Sequence, residues 1–174
     1  MRKICYSVAM SLDGFVAGPN GESDWIVMDP EIDFGAIFAR FDTVLMGRRT
    51  FESTQAQGQG GTMPGVTSVV VSRTLRPQEH PGVTVIGNDL GDALARLRSA
   101  PGKDIWLFGG GTLFRSVLDL GQVDTVEVAV IPVLLGSGVP LLPPGEGRTR
   151  LRLLNSKAYK ATGTVMLEYA VERS

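Results

Sequence analysis

Two arginines and a threonine, Arg48, Arg49 and Thr50, stand directly behind an apolar run that ends in glycine, "VLMG" at 44–47. Arginine offers a planar fork of donors matched to phosphate oxygens, and a short hydroxyl adds one more. Gly47 lets the backbone approach a ligand closely. The same bias recurs twice, in Ser72-Arg73 behind "VTSVVV" and in Gly109-Gly110-Gly111-Thr112 behind "KDIWLF". Each stretch alone reads as well as a solvated strand-to-helix turn. Three such strand ends in one chain suggest a ligand with several phosphates, and the arginines favour a cofactor carrying an extra one. Neither familiar nucleotide fingerprint is intact. Phe114 stands where G-x-G-x-x-G needs its last glycine, no acidic ribose ligand follows at the expected distance, and no lysine follows for a Walker A loop.

Other chemistries find less support. Cys5 is the single cysteine and lies in an apolar run, so it reads as a buried, inert thiol with no disulfide partner. The single histidine, His80 in "RPQEHPG", reads as a surface-loop residue, which leaves no His/Cys cluster for a metal and no serine–histidine triad. Asp13 in "SLDG" is a candidate proton donor, or simply half of an Asp-Gly turn. Trp25 could stack on a planar heterocycle or cover an edge of the core. Phe51 and Thr54, one and four residues beyond Thr50, would reach a pocket from the same short helix, while Glu22 and Asp24 read as solvated loop charges. With 17 Lys and Arg against 18 Asp and Glu, the net charge is −1. No global field then draws the chain to nucleic acid or an anionic membrane, and any phosphate binding is local.

Those residues need elements to position them. "RKICYSVAM" at 2–10 reads as a buried strand, and "SLDGFVAGPNGESDW" as a loop carrying one brief strand. Asp29-Pro30 predicts a helix start, with Ile32, Phe34, Ile37, Phe38 and Phe41 as its apolar face. "TVLMG" is the next strand and "RRTFESTQ" a short helix, followed by a glycine-rich loop, "AQGQGGTMPG". Strands "VTSVVVS" and "GVTVIG" come next, then a helix "DLGDALARLRSA" capped by Asp89. "KDIWLF" is a further strand, running through the glycines into a helix "TLFRSVLDL". From "VDTVEVAVIPVLLG" onward only strands follow, and 150–159 with 164–172 predict a hairpin through Ala161-Thr162-Gly163. Alternating strands and helices followed by β-structure predict a single α/β domain over 1–174: a mostly parallel central sheet, helices on both faces, and antiparallel strands at the C-terminal edge. In such a sheet, ligands bind beyond the carboxyl ends of the strands.

Taken in order, these motifs match a family. "MGRRTFES", "VVVSR" and "FGGGTLF" resemble segments of dihydrofolate reductases. "SLDGFVAG" and "PVLLGSGVPLL" are more similar to the reductase domain of the bifunctional riboflavin-biosynthesis deaminase–reductases and its stand-alone relatives. The resemblance covers essentially the whole chain and implies a dihydrofolate reductase-like three-layer sandwich that uses NADPH. It implies that Gly47, Arg48 and Thr50 hold the pyrophosphate and adenosine side, with Arg48 or Arg49 and Ser72-Arg73 near the 2′-phosphate. Gly109, Gly110, Gly111, Thr112 and Leu113 would present backbone amides to the pyrophosphate, with a strained cis peptide between Gly109 and Gly110. Ala9, Val16 and Gly18 would lie along the nicotinamide. Dihydrofolate reductases place a proton-handling carboxylate on the first helix. Here that helix offers Glu31 and Asp33, and Phe34 stands at the nearest matching position, which departs from the folate pattern. Asp13 and Asp33 are thus the catalytic candidates, and Trp25, Phe34, Phe51 and Thr54 the substrate-binding ones.

The expected activity is NADPH-dependent reduction of a pyrimidine-, pterin- or related heterocyclic substrate, like that of 5-amino-6-(5-phosphoribosylamino)uracil reductase. A true dihydrofolate reductase and a non-catalytic NADPH-binding protein are the alternatives. No deaminase signature, H-x-E with P-C-x-x-C, occurs in the chain. Arg148, Arg150 and Arg152 alternate along "GRTRLRL" and read as a solvated edge rather than a second phosphate site. The N-terminus lacks the long apolar stretch of a signal peptide, and the most apolar window is broken by Pro132, Gly136, Gly138 and Pro140, so a cytoplasmic protein without a membrane span is expected. The resemblance and the apolar late segment together imply a homodimer.

Overall fold

A computed structural model describes residues 1–58 and 64–173. Its frame is an eight-stranded sheet of β1 (Ile4–Ser11), β3 (Phe41–Gly47), β4 (Thr67–Val71), β5 (Val83–Ile86), β6 (Asp104–Gly109), β7 (Thr125–Ile131), β9 (Leu151–Tyr159) and β10 (Thr164–Val171). Two further strands, β2 (Phe15–Ala17) and β8 (Val139–Pro140), form a small separate ribbon. The large sheet runs β5-β4-β3-β6-β1-β7-β10-β9. Its first six strands are mutually parallel, and β10 and β9 add antiparallel pairing at one edge. Parallel neighbours need covered crossovers, which the helices α2 (Arg48–Ala56), α3 (Leu90–Ser99) and α4 (Gly111–Asp119) provide.

Alternation along the strands divides the core between two faces. On one face Ile4, Tyr6, Leu45, Leu107 and Val128 pack against Leu94 of α3 and Phe114 and Val117 of α4. Tyr6 stacks on Phe114 with ring centroids 3.7 Å apart. On the other face Cys5, Val44, Met46 and Trp106 pack with Phe51 of α2. Cys5 is buried and its thiol is pushed up to about 11 by desolvation, so it stays protonated near neutrality. At the amino ends of the strands Arg98 pairs with Asp124 at 2.9 Å, and Asp124 also accepts from the Ile4 amide.

Two local expectations change. The helix anticipated from Asp29-Pro30 is confined to α1 (Phe34–Phe38), capped by Asp33, whose carboxylate accepts from the Ala36 amide at 2.9 Å. Asp29 is instead drawn into a tertiary clasp. Its carboxylate accepts from the Glu31 amide and, at 2.6 Å, from the Thr162 hydroxyl in the β9–β10 turn. Phe41 consequently belongs to β3 rather than to a helix face. Asp89 does precede α3, but it sits at φ 52° and makes no side-chain cap bond. The glycine-rich loop anticipated at 56–65 falls partly on residues 59–63, outside the described residues.

The β2–β8 ribbon depends on one glycine. Gly138 adopts φ 155°, and a Cβ there would overlap the Ala17 carbonyl oxygen. Gly138→Ala is expected to lower stability by about 1–3 kcal/mol through strain and overpacking. Urea unfolding checks this, with an unchanged midpoint as the contrary result.

Candidate functional site

Because the first six strands are parallel, their carboxyl ends share one edge, and the three unusual strand ends meet there. Gly47 stands opposite Val71 and its neighbour Met46 opposite Gly109. A Cβ on Gly47 would lie 3.9 Å from the Gly109 oxygen and the Gly110 nitrogen, so β3 and β6 touch at their ends. The Thr50 hydroxyl lies 3.5 Å from where a Gly110 Cβ would stand. Gly109 has φ 138°, and the Gly109-Gly110 peptide is cis. The helices starting here, α2 and α4, are each nine residues long and begin at Gly47 and Gly110, both extended and neither providing a side-chain cap. Two sets of first-turn amides therefore face the same edge without side-chain partners among the described residues, where an anion satisfies donors and dipoles together.

The basic side chains flank this edge. Arg48, Arg49 and Arg73 are exposed. Arg48 reaches towards the Thr74 hydroxyl at 3.4 Å and Glu52 at 3.8 Å, contacts weak enough to yield to a phosphate. The Ser72 hydroxyl is buried and accepts from the Thr74 and Leu75 amides at 3.2 and 3.0 Å, so it shapes the turn that presents Arg73. Thr112 is exposed, and the Leu113 side chain is buried in the core beneath α4. Gly111 serves a different contact, since a Cβ there would press on Pro143 and the Pro140 oxygen at 3.0 and 3.1 Å.

Beside the cradle lies a flap built from two distant stretches. Leu12 and Val133, Gly14 and Leu141, and the β2–β8 ribbon join residues 12–17 to 133–141. Asp13 braces it. Its carboxylate accepts from the Ser11 hydroxyl at 2.7 Å, the Leu135 amide at 3.1 Å and the Gly136 amide at 2.7 Å. The Ser11 hydroxyl, followed by the two amides, holds the Asp13 carboxyl below its ordinary range. A carboxylate engaged by three donors is poorly suited to give up a proton, so the geometry makes Asp13 a brace rather than an acid. Val16 lies in the ribbon, and Gly18 is buried under Glu22. Glu22 is more than a solvated loop charge, because it accepts from the Asn20 amide and side chain at 2.8 and 3.1 Å. Ala9 is half-buried on β1, opposite Ala129.

The anticipated substrate contacts separate. Phe51 is fully buried and Thr54 nearly so, its hydroxyl donating to the Phe51 carbonyl at 2.7 Å. Both belong to the core under α2, which corrects their assignment to a pocket wall. Phe34 is half-buried on α1 and Trp25 half-buried in the preceding loop, its indole donating to the Glu22 carbonyl. Asp33 is exposed at the start of α1. A feature missed from sequence is an aromatic ladder. Phe34 stacks towards Phe38 at 6.2 Å, Phe38 meets Trp106 at 5.0 Å, and Trp106 meets Phe108 edge-on at 4.9 Å. Its signal was the i, i+4 pair in "FGAIF" and the i, i+2 pair in "WLF", on elements whose contact only the fold supplies. Among the described residues, no three His, Cys, Asp or Glu side chains group as metal ligands.

With this geometry in place, comparisons with known proteins are informative. A family model described as the RibD C-terminal domain matches residues 2–165. The chain is 32% identical over 179 residues to the uncharacterized protein YyaP of Bacillus subtilis (strain 168), covering 97% of this chain and 94% of that protein. It superposes on a putative riboflavin biosynthesis protein from Shewanella sp. PV-4 with a TM-score of 0.84 at 27% identity, covering 99% of this chain and 100% of that one. Dihydrofolate reductase from Enterococcus faecalis, solved with NADP(H) and RAB-propyl, superposes with a TM-score of 0.72 at 17% identity over 98% of this chain and 97% of that one, a likeness of fold.

The brace on the flap is testable. Because the Asp13 carboxyl is held low, its bracing is present above the unfolded carboxyl pKa and is lost as pH falls through the lower folded value. Hydrogen exchange at the Leu135 and Gly136 amides is expected to speed up in Asp13→Asn at neutral pH, while sheet amides keep their protection. Unchanged exchange at both amides would contradict the brace.

Proposed function

The chain belongs to the RibD C-terminal domain family, and on that premise we propose that it is an NADPH-dependent reductase of a pyrimidine-, pterin- or related heterocyclic substrate, similar to 5-amino-6-(5-phosphoribosylamino)uracil reductase. The observation that carries this reading is the pair of uncapped helix starts meeting at the ends of β3 and β6. NADPH, when bound, supplies the hydride, and the protein contributes alignment and electrostatics. In this reading the amides from Gly109 to Leu113 and those opening α2 take the pyrophosphate. Arg48, Arg49 and Arg73 take the 2′-phosphate, with Thr50 between the two strand ends. Ala9, Val16 and Gly18 form the wall along the nicotinamide and exclude water there. Phe34 and Trp25 face the heterocycle. Asp33, whose Oδ1 accepts the helix amide, is the carboxylate left to handle a proton, since Asp13 is engaged by three donors.

The same reading places the protein in the cytoplasm as a homodimer. No helix among the described residues is long and apolar enough to cross a membrane. The dimer is supported by β9, which is exposed along almost its whole length. On one face of the β9–β10 pair, Leu151 stands opposite Val171 and Leu153 opposite Tyr169, with the two leucines 43% and 52% exposed. An apolar sheet face of this kind, left without a helix, is suited to a second copy.

Titration calorimetry tests the cofactor. NADPH is expected to bind in the micromolar range and more tightly than NADH, with Arg48→Ala weakening NADPH by about tenfold, the loss expected for one charge-assisted contact. Absence of NADPH binding by the intact protein would overturn the reading. Light scattering after size exclusion is expected to give twice the chain mass, reduced to one chain mass by Leu153→Glu. A monomeric wild type at micromolar concentration would overturn the dimer.

A further inference from the structure

Strand β5 ends the sheet on the side away from β9, and between it and α3 lies a groove of about 410 Å³. Helix α3 and its C-cap line it with Ala93, Arg96, Leu97 and Ala100, the three- and four-residue spacing of one helix flank. The alanines keep that flank short, so the helix does not cover the strand. Thr84 stays exposed although its register partner on β4, Val69, is buried. Val69 and Ile86, both part of the core beneath α3, form an apolar floor.

The polar groups of the groove come from the strand edge and from one arginine. The Ser72 amide donates to the Ile86 carbonyl at 2.9 Å, so Ile86 turns its backbone towards β4. Val85, one residue earlier, turns its N–H and C=O away from the sheet, where no strand among the described residues pairs with them. Its side chain shares a face with Val83, which packs in the Phe51 cluster on the other side, so Val85 shows the groove its backbone. Arg96 is the one charged residue lining the groove. It is exposed and enters no ion pair among the described residues, whereas Arg98, two residues on, is buried and paired with Asp124. The neighbouring carboxylates, Asp89 before α3 and Asp92 in its first turn, do not line the groove. Beyond Ala100 a separate polar hollow begins, where Arg2 is held by Asp42 and Asp104 lies alongside.

An apolar floor with a few polar groups is the makeup of a small-molecule site. A guanidinium and a strand-edge amide are both donors and suit a carboxylate, while an ammonium would meet like charge at Arg96. We infer that this groove binds a small amphipathic monocarboxylate, its apolar body resting on Val69, Ile86 and Leu97 and its carboxylate taken by Arg96 and the Val85 amide. The groove includes no residue from the starts of α2 or α4, and it runs along α3 to Ala100. It is therefore a second site, and the inference does not rest on the reductase reading.

Octanoate, with octylamine as its cationic counterpart, tests the site by titration calorimetry on the intact protein. Octanoate is expected to bind one per chain, and octylamine about tenfold more weakly or less. Arg96→Gln is expected to weaken octanoate by about tenfold, the loss of one charge-assisted contact, and Arg96→Lys to keep most of the affinity. Thr84→Phe, which fills the groove from an exposed strand position, is expected to abolish binding. Saturating NADPH is expected to leave octanoate affinity within about twofold, the behaviour of separate sites. Failure of octanoate to bind at millimolar concentration overturns the inference, as do equal affinity for octylamine, indifference to Arg96→Gln or Thr84→Phe, and displacement by NADPH. Octanoate binding that depends on Arg96 in a protein unable to bind NADPH would keep this site and remove the reductase reading alone.

Discussion

Strands β3 and β6 lie side by side and parallel, so the helices that follow them must begin at the same edge with the same polarity. A helix start leaves amides that its own backbone cannot satisfy, and here neither Gly47 nor Gly110 supplies a cap. Water can serve those donors, but so can a ligand's phosphates, with two helix dipoles acting together. Gly109 adopts φ 138°, which favours glycine, while a Cβ on Gly47 or Gly110 would make only ordinary contacts, at 3.9 and 3.5 Å. The cradle is a consequence of strand order before it is a property of any single residue.

The flap beside the cradle shows the late chain completing what the early chain begins. Residues 12–17 carry too few internal hydrogen bonds to hold a shape alone, and their partners come from 133–141. Asp13 ties the two with one hydroxyl and two amides, and Gly138 and Gly111 permit backbone approaches that a Cβ would obstruct. The Tyr6 hydroxyl, reaching the Leu141 carbonyl at 3.4 Å, joins this segment to the stacked Tyr6–Phe114 pair of the core. The flap's stability is therefore coupled to packing beneath the sheet.

The open face beyond α1 has a different character. Phe38 is largely exposed there while Trp106 beneath it is buried, and Arg40 is paired with the buried Glu127.

Much of this was legible in the chain itself. Alternating apolar runs and helical patterns gave the parallel sheet and its antiparallel edge, because strand and helix periodicities depend on local backbone geometry. Gly47-Arg48-Arg49-Thr50 and Gly109-Gly110-Gly111 marked the strand ends where two helices begin side by side, since such turns draw on few residue types. What local pattern could not fix were contacts between distant segments. Asp13 looked like an acid until Leu135 and Gly136 arrived from the other end of the chain, and Asp29 looked like a helix cap until Thr162 took its carboxylate. Phe51 looked like a pocket wall until packing under α2 buried it, and Phe38, Trp106 and Phe108 became one surface only when α1 settled on β6. Residue type and spacing determine which elements form and where their ends are polar. Which side chain meets which partner across the fold is decided by packing, because only there does one segment desolvate and bond another.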